Sequence, residues 1–346
     1  MLGGAGRPGE AADTLRDACR RFPDNEPLHQ ELAATLGRLG DIEGALACAR
    51  GRDAAWAPVF AFRLLIRHGR RDEAARLEAA VAAAAPADPD LLEWRVRRAR
   101  EEPETLLRLA EDVLRNDSSA AHGLYYKAVA LALLGRGAEA AELMALDRFL
   151  RIAPLPAPAG FDGGTAFREA LRQEILANPG LHPDPAGHAT RSGLRTRLFP
   201  VAGDRAAPAL IQAIRAAVGD YADALSGDHP FVSARPSRAS LIPWALIFRS
   251  GGHQVGHIHP GRWMTGVYYV SARSRDQSSS APHPGAIRIG PLPEWAETDP
   301  PWPVIELEPV PGTLLLFPSF VPHETVPPGE EAERISVAFD IMAASA

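Results

Sequence analysis

The chain has 346 residues, 46% of them hydrophobic, and a formal net charge of −6. That length fits two domains or one large one, and the apolar content is enough for real cores. The acidic balance offers no basic excess to hold nucleic acid, and no segment approaches the run of about 18 apolar residues that a membrane span needs.

Lys127 is the only lysine, so the positive charge is almost all arginine; with the high alanine and proline content this suits a GC-rich bacterial gene. The start, MLGGAGRPGEAADTL, lacks a charged segment followed by an apolar one, so no signal peptide is expected. The cysteines, Cys19 and Cys48, lie in alanine-rich helical surroundings. They suit small buried side chains in a reducing cytosol better than a disulfide framework, and the expected location is cytoplasmic.

Residues 10–150 are helical in pattern and repetitive. LGRLGDIEGALACAR (36–50) returns as IRHGRRDEAARLEAA (66–80) and as LLGRGAEAAELMALD (133–147). Each phrase is an apolar helix end, a glycine turn at Gly40, Gly69 or Gly135, and an acidic, alanine-rich second helix. The intervals between these glycines are 29 and 66, the latter close to two units. A degenerate unit with its turn near Glu102-Pro103 fills the gap. A period of about 34 built from helix–turn–helix units is similar to tetratricopeptide repeats. The large aromatic positions are partly present, at Trp56, Trp94, Tyr125 and Tyr126. The expected architecture over 1–150 is an all-α solenoid, in which each helix pair buries its apolar face against its neighbours; an ordinary helical bundle is the alternative.

Residues 151–165, RIAPLPAPAGFDGGT, break the pattern with prolines and glycines and read as a stiff connector or loop. The third segment, 166–346, opens with a helix over 166–177 carrying Phe167, Leu171, Ile175 and Leu176. Residues 179–189 read as loop, 192–201 as a strand, and 206–225 as an amphipathic helix with Leu210, Ile211, Ile214, Val218, Tyr221 and Leu225 at helical spacing. The period then changes to two. Short strands are expected over 240–248, 254–259, 264–271, 286–289, 304–308, 313–317 and 334–342, separated by proline- and glycine-rich turns. That many strands in so short a run suggests a sandwich or a closed jelly-roll barrel, large enough to hold one small ligand. The run 291–303, PLPEWAETDPPWP, reads as a long loop at the barrel mouth, either a lid or a connection.

Three histidines, His253, His257 and His259, fall within seven residues. On an extended strand their even spacing puts them on one face, where apolar side chains are normal. Neutral imidazole is the commonest metal ligand, so a metal site is the natural reading. Downstream, 311–340 supplies His323, Arg334 and Ser336. His29, His68, His122, His182, His188, His229 and His283 read as ordinary surface or core residues, and His253 stays outside the ligand set. Alone, Arg334 would be an ordinary surface ion pair with Glu331 or Glu333.

Together, His257-Ile-His259-Pro260, Met264-Thr-Gly-Val-Tyr-Tyr-Val270, Gly312-Thr-Leu-Leu-Leu-Phe-Pro-Ser319, His323 and Arg334-Ile-Ser336 resemble the 2-oxoglutarate- and iron(II)-dependent oxygenases. The resemblance covers roughly 190–342. It is to the prolyl-hydroxylase-like bacterial and phage branch with HxHP followed by a GVYY strand. It implies a double-stranded β-helix, a cupin-like jelly roll with supporting helices, so that the chain is α+β and multidomain. It also implies iron(II) held by His257, His259 and His323. Arg334 would fork onto the far carboxylate of 2-oxoglutarate, and Ser336, on the same strand face, would add a hydroxyl. Tyr269 corresponds to the tyrosine that binds this carboxylate in prolyl hydroxylases, while Tyr268 faces the other side. Most of the superfamily has HxD or HxE; here His259 stands at the carboxylate position, so the site carries one less negative charge. A two-histidine site completed by water, or a barrel without redox activity, follows if His259 is not a ligand.

The implied activity is a dioxygenase that hydroxylates a C–H bond with release of succinate and carbon dioxide, O₂ being the co-substrate. A helical-repeat region offers a surface for a peptide or protein, which favours a peptidyl substrate; dimerisation is the other use for it. Two further readings stand beside this one: a cupin-like zinc enzyme using the histidines for Lewis-acid chemistry, and an inactive repeat scaffold. An exposed, surface-paired Arg334 would favour the last.

Overall fold

The computed structural model describes residues 8–86, 88–184, 189–203, 205–272, 284–327 and 333–344. His188, His283 and Glu331 lie outside these residues. The chain divides into two compact units, 1–97 and 98–346. Among the described residues no helix is long and apolar enough to cross a membrane.

The first unit is helical: α1 (Pro8–Arg21), α2 (Glu26–Arg38), α3 (Ile42–Ala49), α4 (Trp56–Arg67), α5 (Arg71–Ala84) and most of α6 (Pro89–Ala99). Consecutive helices from α1 to α5 pack on each other, and α2 also touches α4. The turns follow from the repeated glycines. Gly40 and Gly69 have φ of 80° and 72°, a left-handed conformation that ends a helix without a Cβ penalty. Asp41 then caps α3, its carboxylate accepting from Gly44 N at 2.9 Å. Buried Asp88 caps α6, accepting from Leu91 N at 3.1 Å, and ties it to α4 through Arg63 at 2.6 Å. Leu32, Leu36, Ala45, Leu46, Phe62, Leu65, Ala74 and Val81 form the core of this unit.

The second unit begins with α7 (Pro103–Asn116), α8 (Ala121–Leu133), α9 (Gly137–Met144) and α10 (Leu146–Phe149). The division therefore falls at 97/98, earlier than the expected boundary at 150. The reason is packing: Leu124, Ala128, Leu131, Met144 and Phe149 share one apolar core with Phe167, Tyr221, Phe231 and the sheets. Beyond them lie β1 (Arg151–Pro154), α11 (Gly163–Leu176), β2 (Leu181–Pro183), β3 (Thr190–Thr196), α12 (Ala206–Ala224), α13 (Pro230–Ser233), β4 (Ala239–Gln254), β5 (Met264–Ser271), β6 (Ile287–Ile289), β7 (Ile305–Leu307), β8 (Thr313–Pro318), β9 (His323–Thr325) and β10 (Glu333–Ala343).

Seven strands form one antiparallel sheet in the order β1-β8-β5-β10-β4-β3-β2, and three form a second in the order β7-β6-β9. β10 is central. Its register pairs Val337 with Tyr268, Phe339 with Gly266 and Ile341 with Met264, and this face packs with α11 and α12 in the common core. Its other face carries Arg334, Ser336, Ala338 and Asp340, opposite Phe248, Leu246, Trp244 and Ile242 of β4. Because both faces are covered, β5 is buried along nearly its whole length and reads as a continuous apolar run rather than an alternation.

Several expectations need correction. Residues 151–154 are not connector: β1 pairs Arg151 with Leu316 and Pro154 with Thr313. Proline is tolerated there because the strand lies at the sheet edge. β2 lies within 179–189, read as loop, and the strand expected over 192–201 ends at Thr196, leaving Leu198 exposed. The strand expected at 240–248 runs on as β4 to Gln254, with its irregularity absorbed opposite Arg191 and Gly193, whereas 255–259, also expected as strand, is irregular apart from the His257–His323 bridge. The residues after Gln254 leave the ladder. The proline-rich run 291–303 is tied down by Trp302, which is buried and donates its Nε1–H to Gly290 O at 2.7 Å.

Gly266 sits where β5, β8 and β10 press together: an added Cβ would lie 2.4 Å from Phe339 Cζ and 2.7 Å from Leu315 O. Gly266→Ala is expected to destabilise the protein by about 1–3 kcal/mol. Urea unfolding at constant slope reads this as a lowered midpoint; an unchanged midpoint would show that the sheet yields at no cost.

Candidate metal and oxo-acid site

The cleft on the polar face of β10 is built by three backbone devices. First, the segment after β4 is clamped to the start of β9: His257 N donates to His323 O at 3.1 Å and His323 N to His257 O at 3.0 Å. Second, His259 N donates to Ser319 O at 2.9 Å, which fixes the second histidine beside the end of β8. Third, β9 pairs with β6, setting His323 opposite Ile289. The three imidazoles come together, with His257 and His259 on irregular backbone rather than the expected strand. Their ring centroids are 4.3 Å (His257–His323) and 5.1 Å (both other pairs) apart. One ligand nitrogen from each lies within 4.8 Å of the others, so one ion is within reach of all three. His253 is not in this group; its Nδ1 turns back to Gly251 O at 2.9 Å.

Each cluster histidine is held at Nδ1. His257 Nδ1 lies 2.8 Å from Val255 O and His323 Nδ1 lies 3.2 Å from Val321 O. A carbonyl only accepts, so the hydrogen sits on Nδ1 and Nε2 keeps its lone pair. Backbone orientation of this kind is what metal-binding histidines use. His259 Nδ1 lies 2.7 Å from Asp340 Oδ1, an ion-pair contact without the alignment of a full hydrogen bond. Asp340 was not singled out by the sequence reading; its signal is the even spacing from Arg334 along β10. Burial, then the neighbouring imidazoles, push His257 down to about 4 and His323 well below the ordinary imidazole value.

At the other end of the polar row, Arg334 is 3% exposed, and among the described residues its Nε and Nη1 have no hydrogen-bond partner. Its guanidinium carbon lies 5.1 Å from the Tyr269 ring and 5.6 Å from the Phe248 ring. Tyr269 OH and Ser336 Oγ are likewise buried and unpartnered. Ser336 pairs across the ladder with Tyr269, so the two share a face, while Tyr268 turns to the helices and packs 6.5 Å from Phe167. The surface pairing considered for Arg334 is absent among the described residues: Glu333, on the other face, takes Arg249 Nε at 2.8 Å and Arg172 Nη2 at 2.9 Å. Burial pushes the Arg334 guanidinium's pKa down and the Tyr269 phenol's up.

The donor set fits iron(II) with an oxo-acid. Three neutral imidazoles suit a divalent transition metal, and buried unsatisfied donors from Arg334, Ser336 and Tyr269 call for an acceptor-rich anion. Trp244, Leu246, Val267 and Phe317 give the cleft apolar walls. The cleft is narrow, with a cavity of about 20 Å³.

Residues 243–340 match the family described as "Putative 2OG-Fe(II) oxygenase". A prolyl-4-hydroxylase from Pseudomonas putida is 18% identical, over 58% of this chain and 96% of its own, with a TM-score of 0.39. A Trichoplax adhaerens prolyl hydroxylase in complex with a hypoxia inducible factor peptide is 17% identical, over 60% and 91%, with a TM-score of 0.41. YrrB, a TPR protein with an unusual peptide-binding site, is 19% identical, over 39% and 73%, with a TM-score of 0.32. A search of curated proteins found no match.

Two outcomes follow from the buried charges. Histidines kept neutral in the fold bind fewer protons than in the unfolded chain, so the metal-free protein keeps their contribution above about pH 6.5 and loses it as pH falls toward 4. Unfolding midpoints measured across that range should fall, and less so in His257→Gln. Arg334→Met, which removes an unpaired buried charge, should raise the stability of the metal-free protein by about 1–4 kcal/mol. A loss of stability would mean that the guanidinium has an internal partner.

Proposed function

We propose that this chain, whose residues 243–340 form a 2-oxoglutarate- and iron(II)-dependent oxygenase domain, hydroxylates an unactivated C–H bond of a peptide or protein. One oxygen atom of O₂ enters the product hydroxyl and the other enters succinate, as 2-oxoglutarate loses carbon dioxide. The observation that carries this reading is the pairing of three convergent imidazoles, two of them anchored at Nδ1 by backbone carbonyls, with a buried Arg334 whose Nε and Nη1 have no hydrogen-bond partner among the described residues.

In this reading His257, His259 and His323 hold the iron through Nε2, and the two sheets are the halves of a double-stranded β-helix. Iron(II), when bound, supplies the redox chemistry of O₂. The protein's own groups bind and orient. Arg334 forks onto the far carboxylate of 2-oxoglutarate, with Ser336 Oγ and Tyr269 OH as further donors. The apolar walls exclude water and strengthen those contacts. No side chain is required as a general base. The helical hairpins of the first unit are assigned to recruiting a peptide, with dimerisation as their rival role.

The burial of Arg334 also supports this reading over the other two. A Lewis-acid zinc barrel or an inactive scaffold has no use for a guanidinium kept dry and unpaired, which costs several kcal/mol unless a ligand compensates it.

The test is anaerobic titration of the metal-free protein with iron(II) and 2-oxoglutarate, followed by admission of air. A visible metal-to-ligand charge-transfer band and succinate formation are expected, with both lost in His323→Ala and the band lost in Arg334→Ala at matched 2-oxoglutarate. Iron binding with neither band nor succinate would overturn the reading.

A further inference from the structure

His259 stands where a carboxylate ligand is usual, and it is the cluster histidine whose Nδ1 faces a carboxylate rather than a backbone carbonyl. Asp340 Oδ1 lies 2.7 Å from it, is fully buried, and has no hydrogen-bond partner among the described residues. The carboxylate is placed by the central ladder: Asp340 pairs with Ile242 on one side and Thr265 on the other. The next backbone link, Trp263 N to Ile341 O at 2.8 Å, holds the loop carrying His259 against the same end of β10. Arg262 Nε approaches the other oxygen of Asp340 at 3.3 Å, so the charge is shared between an imidazole and a guanidinium.

We propose that Asp340 is a positioning residue that acts through His259, fixing its ring with Nε2 toward the metal and returning to the three-histidine cluster the negative charge that a carboxylate ligand would have carried. A carboxylate behind a ligating imidazole raises the basicity of that imidazole and locks its orientation. The inference rests on the metal-binding role of the cluster, and the test separates the two.

The probes are iron(II) under anaerobic conditions and cobalt(II), whose absorption reports coordination without turnover. Asp340→Asn, nearly isosteric, should weaken binding of both ions about 10–100-fold and alter the cobalt spectrum. Asp340→Glu, which keeps the charge, should lose less. In a His259→Asp background, where the charge returns to the ligand itself, Asp340→Asn should change affinity by no more than about threefold, because the coupling runs through His259. Arg262→Met, which leaves Asp340 wholly to His259, should tighten binding by about 2–5-fold, and it carries the test if Asp340→Asn does not fold.

Wild-type affinity in Asp340→Asn, equal losses in the Asn and Glu variants, or unchanged or weaker binding in Arg262→Met would overturn this assignment while leaving the oxygenase reading intact. Failure of the wild-type protein to bind either ion would instead remove the metal site on which both depend.

Discussion

The site depends on one strand with a period of two. β10 is hydrogen-bonded on both sides, to β4 and β5, and its alternate residues divide without exception between two environments. Ile335, Val337, Phe339 and Ile341 fill the helix-backed core; Arg334, Ser336, Ala338 and Asp340 face the cleft. A slip of one residue would bury the polar row among helices and expose the apolar row to the cleft, so the register is strongly specified. The apolar half of the strand is thus what aims the polar half. The register against β4 runs unbroken from Glu333 to Ala343, whereas that against β5 shifts between Ile335 and Ser336, beside Tyr269. Irregularities of this kind re-aim side chains near functional sites.

The cost of that arrangement is concentrated in Arg334. A guanidinium is always charged, and here it is buried with no carboxylate partner among the described residues. The rings of Phe248 and Tyr269 offer their faces, but cation–π contact of this kind returns only ~0.5–2 kcal/mol. Stabilisation elsewhere must hold the strand in place, and the continuous core from Leu124 through Phe167 to Phe339 supplies it. The strand therefore stays in register while the cleft remains polar and underpaired.

Much of this was legible in the sequence because its signals are periodic or local. The glycine turns at Gly40 and Gly69 and the shared strand face of Arg334 and Ser336 rest on period or parity along one element, whereas Tyr269 is singled out by the prolyl-hydroxylase resemblance. What was not legible depends on distant pairing. β1 is a strand because Leu314, Leu315 and Leu316 offer it an edge, and nothing in RIAP announces that. Parity alone makes the histidine segment a strand; in the fold it converges through bonds to His323 and Ser319, 60 or more residues away. The boundary at 97/98 escaped notice because α7 to α9 continue the repeat pattern while their apolar faces join the core of the second unit. Asp340 shares the even spacing of Ser336 from Arg334, but parity alone names no partner for it; only the sheet register brings it to His259.

The three imidazoles also show why the departure from HxD is tolerable. Two of them lean on backbone carbonyls, which orient without adding charge, and the third leans on a carboxylate. A charge one ring away from an ion acts at longer range than a ligand oxygen, and Arg262 draws part of it off, so the compensation is partial. It has one structural advantage. Asp340 and Arg334 are six residues apart on the same strand, about 20 Å of rigid ladder. In the proposed reading, the group that would tune the metal cluster and the group that would hold the oxo-acid are thereby positioned by a single set of hydrogen bonds. A disturbance of β10 would act on both ends of the site at once, whereas a carboxylate ligand on the loop would answer only to the loop.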